Sequence, residues 1–569
     1  MKKIKKNTKQ KGFQFEDYLA TDIIKEKSKI FNIALNRLSI VSFFFLTIIF
    51  VLVLKFFYLG LSTSKASLYQ DNSTILIKER ADILDRNNTI LARNVDSYSA
   101  AIRSKLVKDK KKLLINLRLI FPNLDVNEFQ KNIKNKNFFY IKKTLTDDQR
   151  LKLWLLGDKS IYFEKKQIRI YPQKNLFSHV IGQIDYDNHG ISGLEKYFDS
   201  YLKKSDENSD LTLTLDSSTQ HIIRQELLQA QKDFDTIGSG ALLMDIHTGE
   251  IISMMSLPDY DLNKRVTINN HIYTNKITKG VYELGSVFKT FTLAAGLENN
   301  VIQSKTIFEN LENSLKCDKF RIKEHDKLPV NLSAEQILIR SSNIGAIRIV
   351  QKIGLEKYKE FLNSLEIFKK IEFELEEIGT PIKFRWGKCK LLTASFGHGI
   401  TTTPLQLAKA YAMISNGGYK ITPTIIKKNY INEKKQEKII SLNTSLEINK
   451  MLRKVVSLKE GTANFADING YEVGGKTGTA YKSFQGRYSQ KKINTFVSIF
   501  PISNPKYVLL IILDEPKPAP NLTYITNTKT VQGQNRNEAG WNAVYVAGKI
   551  IEKIGPILAT KNLHAFKNF

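Results

Sequence analysis

The stretch SGALLMDIHTGEIISMMS, residues 239–256, consists of two apolar runs joined by a short turn at 247–249. Apolar runs of this length around a glycine-containing turn are typical of paired β-strands. Near the other end of the chain, NTFVSIFPISNPKYVLLIILDEP at 494–516 has the same form, with its strands separated at 501–505. Helical patterns lie between the two hairpins, and a final helix is predicted over 540–554. The sequence therefore predicts an α/β sandwich built on an antiparallel sheet, in which segments distant along the chain meet.

Length and charge limit the kinds of protein that this chain can be. A chain of 569 residues is expected to form about three or four structural units. Lysine and arginine number 86 against 56 acidic residues, which gives a net charge of +30. That surplus suits a polyanionic partner, either a nucleic acid or an anionic membrane or wall polymer. The lysines are scattered, however, and compositional drift produces the same excess.

The two cysteines, Cys317 and Cys389, are too few for a disulfide-rich scaffold or a cysteine-based zinc cluster. They could pair in an oxidising compartment, but the sequence does not give their separation in space. The eight histidines are dispersed and include no H-E-x-x-H motif. A metal enzyme is therefore not expected.

An uncharged apolar run indicates on which side of a membrane the rest of the chain lies. Residues 38–54, LSIVSFFFLTIIFVLVL, carry no charge, and the aromatic residues after Lys55 extend the run to about the 20 residues that cross a bilayer. Ten basic residues against four acidic ones precede the run within 2–37. By the positive-inside rule we expect a cytoplasmic tail at 1–37, one transmembrane helix at 38–60 and an exported remainder. A cleaved signal peptide is disfavoured, because the tail and the run are long and no A-x-A site follows.

The first exported region has a mixed pattern. Residues 74–102 alternate between apolar and polar side chains and are interrupted by two asparagines at 87–88. This pattern predicts a strand and a turn. Residues 105–160 have a helical pattern. The apolar residues at helix spacing are Leu113, Leu114, Leu117 and Ile120. An irregular stretch follows, and a new helix is expected to begin near Ser217.

Three short motifs stand in order along the second half of the chain. They are Ser286-Val287-Phe288-Lys289, Ser341-Ser342-Asn343 and Lys476-Thr477-Gly478-Thr479. Each motif has an ordinary explanation by itself, because serine and asparagine cap helices and a glycine-containing tripeptide is usually a turn. The joint occurrence in this order is what points to a catalytic site.

The first motif has the residue types of an activated nucleophile. Ser286 precedes an apolar helical pattern, so its hydroxyl lies near a helix N-terminus, where N–H groups and the macrodipole stabilise negative charge. Lys289 is three residues further along and shares the helix face. A lysine buried beside other cations loses its proton and can serve as the base for a serine. The alternative is that Ser286 is only an N-cap and Lys289 a solvated side chain.

The other two motifs add groups that relay protons and bind a substrate. Ser341 and Asn343 lie where one predicted helix ends and another begins. The hydroxyl can relay a proton, and the amide can hold both Lys289 and a substrate carbonyl. Lys476 follows two glycines in an extended stretch, where the backbone can approach a ligand closely. Its charge and the neighbouring threonine hydroxyls can bind a substrate carboxylate.

In combination the motifs resemble the signature of the penicillin-recognising serine acyltransferases, S-x-x-K, S-x-N and K-T-G. Flanking segments resemble those of the class B penicillin-binding proteins, which are membrane-anchored peptidoglycan transpeptidases. These segments are RADILDRNNTILA (80–92), RIYP (169–172), SGLEKYFD (192–199), TGEIISMMSLPDYDLN (248–263), NKITKGVYELGSVFK (275–289), SFGHGITTTPLQLAKAYAMISNGG (395–418) and GTANFADINGYEVGGKTGTA (461–480). Two positions depart from the family pattern, since Ala81 and Asn88 each replace a usual glycine, and this puts the local turn in doubt.

The resemblance implies how the chain is divided. A membrane anchor precedes an α+β, dimerisation-type pedestal without catalytic groups at 61–215. An α/β sandwich of the serine transpeptidase and β-lactamase-like type follows at 216–569. The enzyme implied is a serine-type D-Ala-D-Ala transpeptidase in the inner membrane, with its catalytic domain in the periplasm.

The resemblance also implies a role for each motif. Ser286 attacks the bond between two terminal D-alanines of a stem peptide, with Lys289 as general base. Ser341 passes a proton to the leaving D-alanine, while Asn343 holds Lys289 and the donor peptide. The groups that bind the donor carboxylate, or that of a β-lactam, are Lys476, Thr477, Gly478 and Thr479. Backbone N–H groups of Ser286 and Thr479 form the oxyanion hole, and no metal or other cofactor is required.

The segments YELGSVFK, SFGHGI and LDEPK are more similar to the division-type (septal) enzyme than to its rod-elongation relative. The partners implied by the resemblance are peptidoglycan stem peptides, β-lactams, a membrane glycan polymerase of the SEDS family and other division proteins. An exported domain meets no DNA, which disfavours the nucleic-acid interpretation of the charge. Three alternatives stay open: a rod-elongation transpeptidase, a serine β-lactamase and a division scaffold whose catalytic domain has decayed.

Overall fold

A computed structural model describes residues 37–58, 80–203, 210–264, 271–318, 320–427, 437–484, 487–526 and 529–567. The chain divides into two units, Met1–Ile77 and Lys78–Phe569. In the first unit, helix α1 spans Arg37–Tyr58 and contains an 18-residue stretch with a mean hydropathy of 2.7. Its length and composition suit a single membrane crossing, as expected for the predicted segment at 38–60. Apart from Arg37, the predicted basic tail at 1–37 lies outside the described residues.

The second unit begins with a small sheet and short helices. Its elements are β1 (Ile83–Leu84), β2 (Ile90–Arg103), α2 (Lys110–Ile120), α3 (Val126–Asn135), β3 (Phe138–Lys142), α4 (Asp147–Leu155), β4 (Ile161–Ile170), α5 (Ser178–Ile181), α6 (Gly193–Tyr197), α7 (Asp199–Leu202) and β5 (Leu211–Thr212). The strand order is β3-β2-β1-β5, and β4 pairs with β2. Strand β5 runs parallel to β1, and the other pairs are antiparallel.

This region confirms one expectation and corrects another. Leu113 and Leu117 are buried on α2, as their helical spacing predicts. The wholly helical interpretation of 105–160 is wrong, because β3 lies within it, and the stretch after it contains the ten-residue strand β4. Strand β4 has four charged residues among its ten and pairs with a partner far away in sequence, so its local pattern carries little strand signal.

The turn before β2 forms without the usual glycine. Asn88 adopts a left-handed backbone conformation with φ of +63°, which asparagine tolerates better than most residues. The Asp85 carboxylate stabilises the turn by accepting hydrogen bonds from the N–H groups of Asn87 and Thr89, both at 2.8 Å. The doubt raised by this substitution is therefore resolved by side-chain hydrogen bonding.

The remaining helices are α8 (Ser217–Asp233), α9 (Lys289–Glu298), α10 (Ala334–Ile339), α11 (Asn343–Ile353), α12 (Leu355–Ser364), α13 (Lys388–Ala394), α14 (Pro404–Ser415), α15 (Leu442–Ser457) and α16 (Ala543–Lys567). The remaining strands are β6 (Gly238–Asp245), β7 (Ile251–Leu257), β8 (Tyr282–Glu283), β9 (Ile307–Phe308), β10 (Ser314–Cys317), β11 (Phe320–Lys323), β12 (Leu332–Ser333), β13 (Thr401–Thr402), β14 (Gly474–Phe484), β15 (Arg487–Phe500), β16 (Tyr507–Asp514), β17 (Thr523–Ile525) and β18 (Thr530–Gln532). Short 3-10 turns occur at Ser104–Leu106, His271–Tyr273, Gly285–Phe288, Asn464–Ala466 and Ala539–Trp541.

The main sheet has the order β14-β15-β16-β6-β7, and all of its pairs are antiparallel. Both predicted hairpins form, and β16 of the second pairs with β6 of the first. Helix α8 begins at Ser217 as expected, with the Asp216 carboxylate accepting a hydrogen bond from Thr219 N–H. Strands β6, β7 and β16 are buried almost throughout, because helices cover both faces of the sheet. The predicted α/β sandwich is confirmed.

A disulfide joins Cys317 at the end of β10 to Cys389 on α13, with 5.8 Å between their Cα atoms. Asp318 lies close enough to complete a group of three potential metal ligands, but both sulfurs are used in the disulfide. The pairing that the sequence left open is therefore present.

Two arginines share one buried carboxylate in the small sheet region. Arg80 Nε and Arg169 Nε donate to the two Glu195 carboxylate oxygens at 2.6 and 2.7 Å. The three side chains are between 0% and 1% exposed. Arg80 also contacts Asp199 at 2.7 Å, which balances the second positive charge. Because the charges are desolvated, removing one partner leaves the others uncompensated.

We expect Glu195→Gln to lower the free energy of unfolding by about 3–5 kcal/mol, because the buried guanidinium group of Arg169 loses its counter-charge and Arg80 keeps only Asp199. The matched control is Asp96→Asn, which breaks the exposed Asp96–Lys165 pair and should cost about 1 kcal/mol or less. Denaturant unfolding of both variants checks this. Equal losses in the two proteins would contradict the role given to burial.

Candidate active site

The Ser286 turn lies directly on strand β14. Gly285 has a φ of +63°, and a Cβ there would come within 2.6 Å of the Thr479 carbonyl oxygen. On the strand side, a Cβ on Gly478 would lie 2.2 Å from the Leu284 carbonyl oxygen. Both positions therefore require glycine, because any side chain would separate the serine turn from the strand. Because these two glycines have no side chain, the backbone of the serine turn contacts the backbone of β14. The turn and the strand therefore form one wall of the site.

The hydroxyl of Ser341 joins the three motifs. Lys289 Nζ donates to the Ser341 carbonyl oxygen and to Ser341 Oγ, the latter at 3.1 Å. Lys476 Nζ donates to the same Oγ at 2.9 Å. Ser341 itself lies between α10 and α11 with a φ of +61°, which turns it away from the path of either helix. Four predicted side chains, those of Ser286, Lys289, Ser341 and Lys476, are thus held by adjoining parts of the fold.

Both lysines are fully buried, with 0% of each residue exposed. Burial lowers the pKa of Lys289 to about 7, against a smaller opposing effect of the Glu324 charge. Burial also lowers the pKa of Lys476 well below its usual value, and the positive charge of Lys289 lowers it further. Two amines that share one hydroxyl in a low-dielectric site cannot both keep a full charge. At neutral pH a neutral amine is therefore available next to Ser341.

The site opens into a cleft of about 520 Å³. Its walls include Ser286, Ser341, Thr477 and Thr479. The cationic side chains that line it are Arg340, Lys459, Lys492, Lys529 and Arg536, and the acidic ones are Glu324, Asp326, Glu460 and Glu538. The Thr477 hydroxyl is hydrogen-bonded to that of Thr462 at 2.9 Å, and Thr479 Oγ1 accepts from Ala539 N–H at 3.1 Å. Hydroxyls on alternate residues of β14 therefore sit in fixed positions along the cleft.

Asn343 does not make the contact with Lys289 that the sequence predicts. Its Nδ2 donates to the Lys323 carbonyl oxygen at 2.9 Å, and its Oδ1 is buried without a hydrogen-bond partner among the described residues. The side chain turns toward the last residue of β11, so Ser341 alone of the second motif holds Lys289. The predicted Asn343–Lys289 hydrogen bond is wrong for this structure.

Two further residues support the site without belonging to a motif. Tyr411, buried on α14, donates its hydroxyl to the Val287 carbonyl oxygen at 2.7 Å and contacts Thr290. A buried tyrosine usually finds a hydrogen-bond partner for its hydroxyl, and Tyr411 does so here. Glu324 accepts hydrogen bonds from the start of α11. No local pattern marks it, because it follows a short hairpin in an irregular stretch.

Comparison with known proteins gives matches to two family profiles, one for each of two successive regions of the chain. The profile of the penicillin binding protein transpeptidase domain matches residues 239–532, and that of the penicillin-binding protein dimerisation domain matches residues 77–226. The chain is 31% identical over 494 residues to a probable peptidoglycan D,D-transpeptidase FtsI of Caulobacter vibrioides, covering 85% of this chain and 82% of the relative. It is 30% identical over 485 residues to stage V sporulation protein D of Bacillus subtilis, covering 77% of this chain and 74% of the relative.

Among solved structures, the chain is similar to penicillin binding protein 3 from Mycobacterium tuberculosis in complex with aztreonam. The TM-score is 0.65 at 22% identity, and the match covers 85% of this chain and 96% of the other. At this identity the likeness concerns the fold.

Burial of Lys289 predicts a measurable cost in stability. A free lysine keeps its proton up to about pH 10.4, whereas folding moves this pKa to about 7. Between these values the unfolded chain binds more protons, so stability rises with pH. We therefore expect Lys289→Met to raise the free energy of unfolding at pH 7 by about 1–4 kcal/mol, because an apolar side chain has no charge to desolvate.

This gain should shrink as the pH rises to about 10, because the lysine of the unfolded chain, with a pKa of about 10.4, then begins to lose its proton as well. Denaturant unfolding at pH 7 and pH 10 measures it, with the exposed Lys131→Met on α3 as the control. A Lys289→Met protein that is no more stable than wild type, or whose gain is the same at both pH values, would contradict the assigned burial cost.

Proposed function

The chain belongs to the class B penicillin-binding proteins, and from that premise we propose that it cross-links the stem peptides of the septal cell wall through an acyl-enzyme on Ser286. Its peptidoglycan D,D-transpeptidase activity follows from the family. The observation that supports the assignment of residues is the shared contact of Lys289 and Lys476 with Ser341 beside the Ser286 turn.

In the proposed first half-reaction, Ser286 Oγ attacks the carbonyl carbon between the two terminal D-alanines, and its proton passes to neutral Lys289. The N–H groups of Ser286 and Thr479 stabilise the tetrahedral oxyanion, an effect worth about 3–4 kcal/mol per donor. The C–N bond then breaks, and Ser341 relays the proton from Lys289 to the departing D-alanine amine. Its position between the two lysine amines suits that relay.

In the second half-reaction, an amine from a neighbouring strand attacks the acyl-enzyme ester. The amine loses a proton to Lys289, the ester bond breaks, and Ser286 regains its hydroxyl hydrogen. The product is an amide between two stem peptides. No group outside the chain is needed for either step.

Recognition of the donor is assigned to β14. Lys476 is fully buried and donates to the Thr477 hydroxyl at 3.1 Å, and the hydroxyls of Thr477 and Thr479 line the cleft. The carboxylate of a D-alanine or a β-lactam fits these donors. Gly478 keeps the strand against the serine turn. Asn343 is assigned to the donor peptide by the family resemblance, while its Nδ2 is held by the Lys323 carbonyl oxygen.

The proposed domain organisation follows the sequence. It consists of a cytoplasmic tail at 1–37, a transmembrane helix at 38–60, a pedestal at 61–215 and a transpeptidase domain at 216–569. The profile matches at 77–226 and 239–532 are compatible with these boundaries. The excess of basic residues before α1 supports a cytoplasmic N-terminus and an exported catalytic domain.

Partners are proposed on the same basis. The substrates are peptidoglycan stem peptides ending in D-Ala-D-Ala, and β-lactams acylate the same serine, as the aztreonam complex of the Mycobacterium tuberculosis protein suggests. The pedestal is proposed to bind division proteins, and α1 is proposed to contact a membrane glycan polymerase of the SEDS family. Nucleic acid is not a proposed partner.

The assignment to cell division depends on finer sequence features than the assignment to the family. The relatives at about the same identity include both a probable FtsI and a sporulation protein, so identity alone leaves rod elongation as the alternative. The segments YELGSVFK, SFGHGI and LDEPK favour the division type. The intact and converging motif side chains disfavour a decayed scaffold.

We expect Ser286→Ala to abolish labelling of the full-length protein by a fluorescent penicillin, because the only proposed acyl acceptor is lost. The matched control is Ser503→Ala, since Ser503 is also followed by lysine three residues later but lies exposed in a turn. Gel fluorescence measures both. Absence of labelling in wild type, or equal labelling of Ser286→Ala, would refute the assignment of the nucleophile. Rapid hydrolysis of a chromogenic cephalosporin would instead support a β-lactamase.

Depletion of the protein in its own cells should block division while elongation continues, because the proposed substrate is septal wall. Microscopy of depleted cells should therefore show filaments or undivided chains of cells. Cells that round up and lose their length would instead support the rod-elongation type. Complementation by wild type, and its failure with Ser286→Ala, ties the phenotype to acyl transfer.

A further inference from the structure

Glu324 binds the start of the helix that carries the second motif. Its carboxylate accepts hydrogen bonds from Ser342 Oγ at 2.6 Å and from the N–H groups of Asn343 and Ile344, both at 2.8 Å. The preceding residue, Lys323, accepts the Asn343 side-chain amide at 2.9 Å. Ionised acceptors at a helix N-terminus form strong hydrogen bonds, because they meet unpaired N–H groups and the positive end of the dipole.

The β10–β11 hairpin, which directly precedes Glu324, is held in place at both ends of β10. Glu324 N–H donates to the Asn313 carbonyl oxygen at 3.1 Å, which closes the β10–β11 hairpin. At the other end of β10, Cys317 is bonded to Cys389 on α13. The residue after α13, Ser395, accepts a hydrogen bond from Thr292 of α9 at 2.7 Å. The hairpin is thereby tied to the helix that begins with Lys289.

Glu324 also acts on Lys289 through its charge. Ser341, which holds Lys289, immediately precedes the residues that Glu324 binds, and Glu324 lines the same cleft. The titratable groups that face Lys289 are Glu324 and His325 from the segment after β11 and Lys476 from β14. Among these, Glu324 is the negative one, and its charge raises the pKa of Lys289 against the larger effect of burial.

We propose that Glu324 is a positioning residue for acyl transfer, which fixes the Ser341–Asn343 turn by binding the start of α11 and so holds Lys289 beside Ser286. This inference rests on the proposed function. Glu324 does not need to touch the substrate, because the carboxylate acts through the turn. The disulfide supports this role by holding the hairpin against α13.

The test compares full-length wild type, Glu324→Gln and Glu324→Asp, with Glu312→Gln as the matched control. Glu312 lies exposed just before the same hairpin and makes no hydrogen bond among the described residues. The second-order rate constant for acylation by a fluorescent penicillin is measured from about pH 5 to about pH 9. We expect Glu324→Gln to slow acylation by about tenfold to a hundredfold, because displacement of positioned groups by about 1 Å has effects of this size.

The pH profile separates positioning of Lys289 from general damage to the fold. Without the negative charge of Glu324, the pKa of Lys289 falls, so the acidic limb of the Glu324→Gln profile should move to lower pH. Glu324→Asp keeps the charge and should restore part of the rate with the limb at its wild-type position. Glu312→Gln should match wild type in both respects. The proposal would be overturned if Glu324→Gln had both the acylation rate and the acidic limb of wild type. It would also be overturned if the acidic limb of Glu324→Asp were displaced.

Hydrogen exchange of the segment 341–350, followed by mass spectrometry, tests the same inference without any activity. Glu324→Gln should exchange faster than wild type at the start of α11, because glutamine keeps only one side-chain oxygen, so one of the two N–H groups loses its acceptor and the other bonds to an uncharged one. Unchanged exchange would overturn the inference even if acylation were slower. If wild type were never acylated, the proposed function would fail, while faster exchange would still support the structural role of Glu324. If Glu324→Gln does not fold, Glu324→Asp provides both measurements.

Discussion

The Ser341 hydroxyl accepts hydrogen bonds from two buried lysine amines, and the chemistry of the cleft depends on this contact. Water cannot solvate either amine, since both lysines are fully buried. Two positive charges at one hydroxyl in such surroundings are unfavourable, so the pair releases a proton near neutral pH. The fold thus converts a strong base that would normally be protonated into one that can accept the proton of a serine.

The fold supplies this arrangement from parts that are distant in sequence. Lys289 and Ser341 are 52 residues apart, and Lys476 is 135 residues beyond Ser341. Strand β14 is the last strand of the main sheet on its side, so one of its edges is left to face the Ser286 turn and the cleft. Its glycine at 478 allows the contact with the turn, while β15, β16 and β6 hold it rigidly from the other side.

The sequence predicted the parts of the fold that have strong local patterns. Two apolar hairpins and the order of three motifs were enough for the sandwich and for the clustering around Ser341, because both are set by residue type and order. The charged strand β4 was missed, since its pairing with β2 is decided by tertiary contact. The direction of the Asn343 side chain was also wrong, because Lys323, whose carbonyl oxygen binds the side-chain amide, lies in a segment without a motif.

The most direct test of Lys289 as a neutral buried base is the rate of Ser286 acylation by a β-lactam as a function of pH. If Lys289 must lose its proton before it can accept that of Ser286, the rate rises with pH and levels off above the pKa of about 7. A Lys289→Met protein should have no such rise and little residual rate. A wild-type rate that is independent of pH from about 5 to about 9, or one that rises only near the pKa of about 10.4 of an ordinary lysine, would contradict the assigned role.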